Sequence, residues 1–152
     1  MEIRYLTLVA PFISWFLAQN LKPFTYFFRT GVWDWKQRSA SGGLPSSHTA
    51  TVSSLCLAIG LREGFDSSLF ALSFAFCCIV AYDAMNVRYF AGENIRVTKL
   101  IVDELSEIFP KLFSDDQRFE RLKEVLGHTL VEVSCGFVLG LLVTGILYLF
   151  VK

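Results

Sequence analysis

Residues 133–151 read VSCGFVLGLLVTGILYLFV, a run of nineteen residues without a charge that stops directly before Lys152. An α-helix needs about 20 mostly apolar residues to cross the hydrocarbon core of a bilayer. The run therefore predicts a membrane-spanning helix. Hydrophobic residues make up 53% of the whole chain and its mean hydropathy is +0.48, which favours further helices in contact with lipid.

Three more apolar segments precede this one. They are Leu6–Leu21, with Phe24–Phe28 as an interfacial continuation after Lys22-Pro23, then Thr49–Leu61, and Ser67–Tyr82. The segment Thr49–Leu61 is short and rich in hydroxyl groups. Either the helix extends back over residues 45–48 and so becomes long enough to span the membrane, or it is a buried or re-entrant helix that its neighbours shield from lipid. We expect an all-α, multi-pass membrane helical bundle with about four membrane segments, in a single domain over residues 1–152.

The polar stretch between the third and fourth segments, residues 83–127, also has a helical pattern. Its apolar side chains recur every three or four residues, at Val97, Leu100, Ile101, Leu105, Ile108 and Phe109. This spacing predicts an amphipathic helix on the protein or at the membrane surface, and Pro110 ends or kinks it. Asp115 and Asp116 favour the start of a second short helix over Gln117–Leu126.

The charges are balanced in number but unevenly placed. Fourteen Lys and Arg oppose fourteen Asp and Glu, so the basic excess typical of nucleic-acid binding is missing. If each segment crosses once, Arg4, Arg62 and Lys152 share one side and the remaining eleven basic residues share the other. The positive-inside rule then places the loops 22–48 and 83–128 in the cytoplasm. Both histidines of the chain, His48 and His128, lie on this face.

Small residues predict close packing of the last helix, and the cysteines predict no cross-link. Gly136 and Gly140 form a Gly-x-x-x-Gly spacing that allows two helices to approach closely in a membrane, either within the chain or in a homodimer. The four cysteines have neither a Cys-x-x-Cys pair nor regular spacing, so neither a disulfide framework nor a zinc site is indicated.

The first segment whose residues suit a functional site is Ser41-Gly-Gly-Leu-Pro-Ser-Ser-His48, directly before the second apolar run. Glycines and serines provide backbone N–H groups and hydroxyls, and a helix start adds partial positive charge. These are the components of an anion site. Pro45 is well placed to open the helix. The alternative is an ordinary helix cap followed by a surface histidine.

The second segment is Gly127-His-Thr-Leu-Val-Glu132, at the start of the last membrane helix. His128 and Glu132 are four residues apart and share a helical face. A carboxylate close to one ring nitrogen fixes the tautomer and makes the other nitrogen a better nucleophile. The alternative is an interfacial His–Glu pair without a chemical role.

Taken in order, these motifs resemble a known superfamily. Pro45-Ser-Ser-His48 and Gly127-His128-x-x-x-Glu132 look like the second and third motifs of the phosphatidic acid phosphatase type 2 superfamily. With Tyr82-Asp-Ala-x-x-Val-Arg88 between them, the chain is most similar to a small divergent branch, labelled acid phosphatase/vanadium-dependent haloperoxidase-related. The resemblance implies His128 as the nucleophile, Glu132 as its orienting acid and His48 as the general acid. Phosphate oxygens would be held by Ser46, Ser47 and nearby backbone amides such as that of Gly43.

The resemblance is incomplete in its cations. The first motif of the wider family, Lys-x6-Arg-Pro, is absent by this comparison, and Lys36 and Arg38 are taken as the nearest cations. Leu122 stands where the family has an arginine before the last histidine. Arg88 is expected to clamp the phosphate instead, since its planar guanidinium suits that task. Asp83 is expected to orient Arg88, or else the two form a helix-end ion pair.

The function that the resemblance implies is a membrane phosphatase. It would hydrolyse a lipid phosphomonoester of the cytoplasmic leaflet, such as phosphatidylglycerophosphate, phosphatidate or an isoprenyl phosphate, through a phosphohistidine and without a cofactor. A second hypothesis is a non-catalytic membrane protein that binds a lipid headgroup or phosphate. A third, a metal site of His48, His128, Asp83 and Glu93, has suitable ligand types but no metal-binding spacing.

Overall fold

A computed structural model describes residues 3–40, 42–108 and 129–151. These residues form α-helices and one short 3-10 turn at Trp35–Ser39, with no strand among them. In chain order the helices are α1 (Ile3–Thr30), α2 (Ser47–Glu63), α3 (Ser68–Met85), α4 (Val87–Ile108) and α5 (Leu130–Leu149). The prediction of an all-helical protein is confirmed for the described residues.

Most helix starts are fixed by side chains at the preceding residue. Ser46 caps α2 by accepting a hydrogen bond from the backbone N–H of Thr49, and Ser67 caps α3 in the same way from Phe70. These hydroxyls satisfy N–H groups that have no partner within the helix. Pro45 was expected to open α2, but it precedes the cap and lies outside the helix.

The first helix is longer than its apolar run. α1 continues through Pro11 and Pro23 to Thr30, so residues 24–28 extend the same helix. A proline removes one N–H donor, and the packing of α1 along α2 and α5 outweighs that local loss. The helix ends at Gly31, whose φ of +72° favours glycine and whose N–H donates to Phe27 O at 2.8 Å.

Two described helices, α3 and α5, are long and apolar enough to cross a membrane. They correspond to the third and fourth predicted segments. The proposed total of about four membrane segments stays a prediction. α2 packs against α1, α3 and α5, and its hydroxyl-bearing residues Thr49, Ser53 and Ser54 are buried. This is the arrangement expected of a helix that its neighbours shield.

The amphipathic pattern of residues 97–108 lies on α4, which packs against α3 among the described elements. Several of its apolar side chains are exposed: Val97, Leu100, Ile101, Leu105 and Ile108. A helix of this kind suits the membrane surface. Phe109 and the predicted short helix Gln117–Leu126 lie outside the described residues.

The glycine face of α5 is used within the chain. A Cβ atom at Gly136 would collide with the Ser46 carbonyl, and one at Gly140 would collide with the Ala50 carbonyl of α2. Below this point the Ser54 hydroxyl lies 2.7 Å from the Thr144 hydroxyl. The contact between α2 and α5 is therefore the close approach that the glycine spacing predicts. The homodimer through the same glycines stays a prediction.

We expect Gly140→Ala to destabilise the fold by about 1–3 kcal/mol, because the new methyl group overlaps a backbone carbonyl that cannot rotate away. Gly145→Ala in the same helix is the matched control, since nothing lies within 4 Å of its added Cβ. Thermal unfolding in detergent measures both. Equal melting temperatures for the two variants would show that the close approach of α2 and α5 contributes nothing to stability.

Candidate phosphate site

The glycine-rich loop lies across α1 and is held there by two side chains. The Lys22 ammonium donates to the Ala40 carbonyl at 2.8 Å, and the Thr25 hydroxyl donates to the Leu44 carbonyl. Between these points Gly43 has a φ of +95°, which only glycine adopts without strain. The loop then reaches Ser46, whose N–H donates to the Glu132 carbonyl at 3.0 Å. The starts of α2 and α5 consequently lie side by side.

The Ser46 hydroxyl is fully buried and serves as the cap of α2. It accepts hydrogen bonds from the Thr49 N–H at 3.4 Å and from the Thr49 hydroxyl at 3.1 Å. Ser47 is also buried, while His48 is exposed on the first turn of α2. Ser46 is therefore an ordinary helix cap, and an exposed histidine follows it, as in the alternative interpretation of this segment. The phosphate-binding roles of Ser46 and Ser47 and the acid role of His48 stay predictions.

Glu132 contacts both Thr129 and Arg29 at the start of α5. It forms a capping box with Thr129, in which the Thr129 N–H donates to Glu132 Oε2 at 3.1 Å and the Glu132 N–H donates to Thr129 Oγ1 at 3.3 Å. Its other oxygen lies 3.9 Å from Arg29 Nη1. The capping box thus holds the carboxylate at the start of α5, and the side chain of Glu132 is only 11% exposed. His128 lies outside the described residues, so its pairing with Glu132 stays a prediction.

Lys22 and Arg29 also lie at the candidate site, and sequence reasoning missed both of them. They are seven residues apart, about two helical turns, and occupy one face of α1. Together with Thr25, Gly43 and other residues they line a small pocket under the glycine loop. The signal was present: Lys22-x6-Arg29 has the spacing of the first family motif, with Thr30 in place of the proline. The two cations of this motif are therefore present in the chain, and the prediction of its absence is wrong for them.

Burial gives Lys22 unusual electrostatics. Only 2% of this residue is exposed, although it follows the apolar run of residues 6–21. Burial lowers the pKa of Lys22 to about 8, because desolvation disfavours the charged amine, and the negative charge of Glu132 opposes this shift. An anion in the pocket would favour the charged form further.

Lys36 and Arg38, the cations expected from the sequence, lie elsewhere. Both belong to the 3-10 turn, whose cap is Asp34, and both are exposed. The Arg38 guanidinium lies 5.8 Å from the centre of the Phe16 ring and lines a different pocket, together with Trp15, Gln19, Asn20 and Ser39. The structure thus brings Lys22 and Arg29 beside Gly43, while Arg38 contacts another part of α1.

The remaining candidates lie where α3 meets α4. Asp83 is half-buried in the last turns of α3, and Arg88 belongs to the first turn of α4. The clamp by Arg88 and its orientation by Asp83 stay predictions. Glu93, a member of the hypothetical metal site, has Arg96 at 3.7 Å. In residues 3–40, 42–108 and 129–151, no three His, Cys, Asp or Glu side chains come together as metal ligands.

Known proteins resemble the chain over most of its length. Residues 4–143 match the Divergent PAP2 family. A relative from Bacillus subtilis (strain 168), described as uncharacterized membrane protein YuiD, is 39% identical over 139 residues, which cover 88% of this chain and 87% of that protein. No solved structure matches the chain.

We expect Arg29→Gln to weaken the binding of inorganic phosphate about tenfold or more, since a hydrogen bond from a charged donor contributes about 1.5–3 kcal/mol. Arg38→Gln is the matched control, because Arg38 lines a separate pocket. Isothermal titration calorimetry of the detergent-solubilised protein measures both affinities. Loss of affinity in Arg38→Gln with none in Arg29→Gln would place the anion in the other pocket.

Proposed function

Since the chain belongs to the Divergent PAP2 family, we propose that it is a membrane phosphatase that hydrolyses the phosphomonoester of a lipid through a phosphohistidine. The observation that carries this proposal is the hydrogen bond from Ser46 N–H to the Glu132 carbonyl, 3.0 Å long. It joins the first turn of α2, which bears His48, to the first turn of α5, which follows His128 in the sequence.

Positive charge converges at this junction. The amino ends of α2 and α5 each contribute a partial positive charge, and Lys22 and Arg29 on α1 contribute two full charges beside Gly43. Phosphoryl transfer moves negative charge over the phosphate oxygens, so cations already in position stabilise the transition state without reorganisation. Glu132 partly balances the two cations and keeps Arg29 near the start of α5.

Each histidine has a distinct role in this proposal. His128 attacks phosphorus, and the P–O bond to the lipid alkoxide breaks while His48 supplies that alkoxide with a proton. In the second half, His48 accepts a proton from water as the water attacks the phosphohistidine. Inorganic phosphate leaves and both imidazoles return to their starting states. The capping box of Thr129 and Glu132 fixes the backbone directly after His128.

Aromatic side chains at the end of α1 and directly after it support a lipid substrate. Phe24, Phe27, Trp33 and Trp35 form a cluster of exposed rings, with centroids 5.0 Å apart for Phe24 and Trp33 and 5.2 Å for Trp33 and Trp35. Tryptophan and other large rings concentrate at membrane–water interfaces. The cluster follows Lys22 along α1, which favours a site at headgroup level. With the positive-inside count, the substrate would be phosphatidylglycerophosphate, phosphatidate or an isoprenyl phosphate of the cytoplasmic leaflet.

The alternative function is binding of a lipid headgroup or phosphate without turnover. Two observations favour it: the Ser46 hydroxyl is committed to capping α2, and the Glu132 carboxylate is committed to Thr129 and Arg29. A binding protein needs the cations and the glycine loop but no nucleophile. The two functions differ in whether phosphate is released.

We expect the purified protein in detergent to release inorganic phosphate from one of these lipids. EDTA should not prevent the release, because the proposed mechanism uses side chains and no metal ion. His128→Ala should abolish release, and His48→Ala should lower it about 10²–10⁴-fold, the usual contribution of a general acid. Arg62→Gln is the control, since Arg62 pairs with Glu63 at the far end of α2.

Two results would overturn the phosphatase: no release from any of the three lipid classes, or unchanged release in His128→Ala. Saturable binding of the lipid without release, lost in Arg29→Gln, would establish the alternative.

A further inference from the structure

A further cavity lies between α1 and α5, beside the small pocket of Lys22 and Arg29, which we call the phosphate pocket. Its volume is about 460 Å³, within the range of ~300–1,000 Å³ typical of small-molecule sites. The walls are almost entirely apolar and include Leu21, Leu44, Pro45, Cys135, Val138 and Leu142. We call it the apolar groove. Nothing in the phosphatase chemistry described above requires it.

The apolar groove and the phosphate pocket share a wall. Thr25 and Leu44 line both cavities, and the hydrogen bond between them joins α1 to the glycine loop. Lys22 and Arg29 belong to the pocket alone. A ligand that occupied both cavities would therefore place an anion on the polar side of this wall and an apolar group on the other.

The direction of the apolar groove matches that of a membrane lipid. From Cys135 to Leu142 it follows α5 for about 10 Å, at 1.5 Å per residue, and α5 is a candidate membrane span. The polar pocket lies at the start of this helix, where Glu132 is. The groove consequently leads from the cations toward the hydrocarbon, as the chain of a lipid does from its headgroup.

We propose that the apolar groove holds the hydrocarbon chain of the lipid whose phosphomonoester occupies the pocket of Lys22 and Arg29. The proposal rests on the proposed function for the headgroup and adds where the rest of the substrate lies. Lipid is as apolar as the groove, so moving the chain into it gains little hydrophobic energy. Its effect is positional: a chain held beside the pocket fixes the depth and direction of the phosphate.

The chain provides its own probes. Cys135 is exposed in the wall of the apolar groove, whereas Cys78 is exposed on α3, outside it. The protein in phosphatidylcholine nanodiscs is treated with N-ethylmaleimide, and modification of each cysteine is followed by mass spectrometry. Hexadecylphosphonate is the test ligand, because it has a chain and an anionic headgroup but no ester bond to hydrolyse. Ethylphosphonate and hexadecanol each lack one of its two parts.

We expect hexadecylphosphonate to slow the modification of Cys135 about tenfold when present at about ten times its Kd, as mass action requires. The rate at Cys78 should not change, and neither ethylphosphonate nor hexadecanol should protect Cys135. Arg29→Gln should reduce the protection by hexadecylphosphonate, since the headgroup loses a cation.

Equal slowing at both cysteines, or protection by hexadecanol alone, would overturn the proposal because the groove would then respond to any hydrocarbon. The result is separable from the phosphatase reaction. Phosphate release without protection of Cys135 refutes the chain site and leaves the phosphatase standing. Protection without release supports the chain site and refutes the phosphatase.

Discussion

The rest of the structure depends on the close approach of α2 and α5. Gly136 and Gly140 allow it, because a methyl group at either position would meet a backbone carbonyl of the other helix segment. Hydroxyl groups complete the contact: Ser53 donates to the Phe137 carbonyl at 3.2 Å, and Ser54 pairs with Thr144. Such bonds satisfy polar groups in a region where water is scarce. The same approach sets the distance between the two helix starts at which the candidate site is built.

Much of this fold could be predicted from the sequence. The uncharged run of residues 133–151 became α5, and the serine-rich second segment became a helix with buried hydroxyls. The extent of α1 could not be predicted, because Lys22-Pro23 resembles a helix end by every local rule. The helix continues past Pro23 because α1 packs against α2 and α5. A periodic sequence pattern contains no information on such contacts. Residues 35–39, which form the 3-10 turn, have no sequence pattern from which the turn could be predicted.

At the candidate site, the residues of the two motifs were predicted from the sequence and the cations were not. His48 and Glu132 were predicted from their motifs, and the structure brings the helix starts that bear them together. Closeness in sequence to the glycine loop predicts Lys36 and Arg38 as the phosphate-binding cations. In space the 3-10 turn directs Arg38 onto the Phe16 ring, whereas Lys22 contacts the loop from eighteen residues away. A lysine next to a proline at the end of an apolar run is usually solvated. The burial of Lys22 therefore could not be predicted from the sequence.

The buried Lys22 connects the glycine loop to the pocket in which the proposed function places an anion. An ammonium has three donors, and one of them fixes Ala40 and thereby the glycine loop. Burying this charge is costly unless negative groups compensate, and the negative charge of Glu132 offsets only part of the desolvation of Lys22. A phosphate in the pocket lined by Lys22, Arg29 and Gly43, as the proposed function requires, would bring further negative charge beside this amine. Under the proposed function, binding of the anion and the order of the glycine loop are coupled through Lys22, whether or not phosphate is subsequently released.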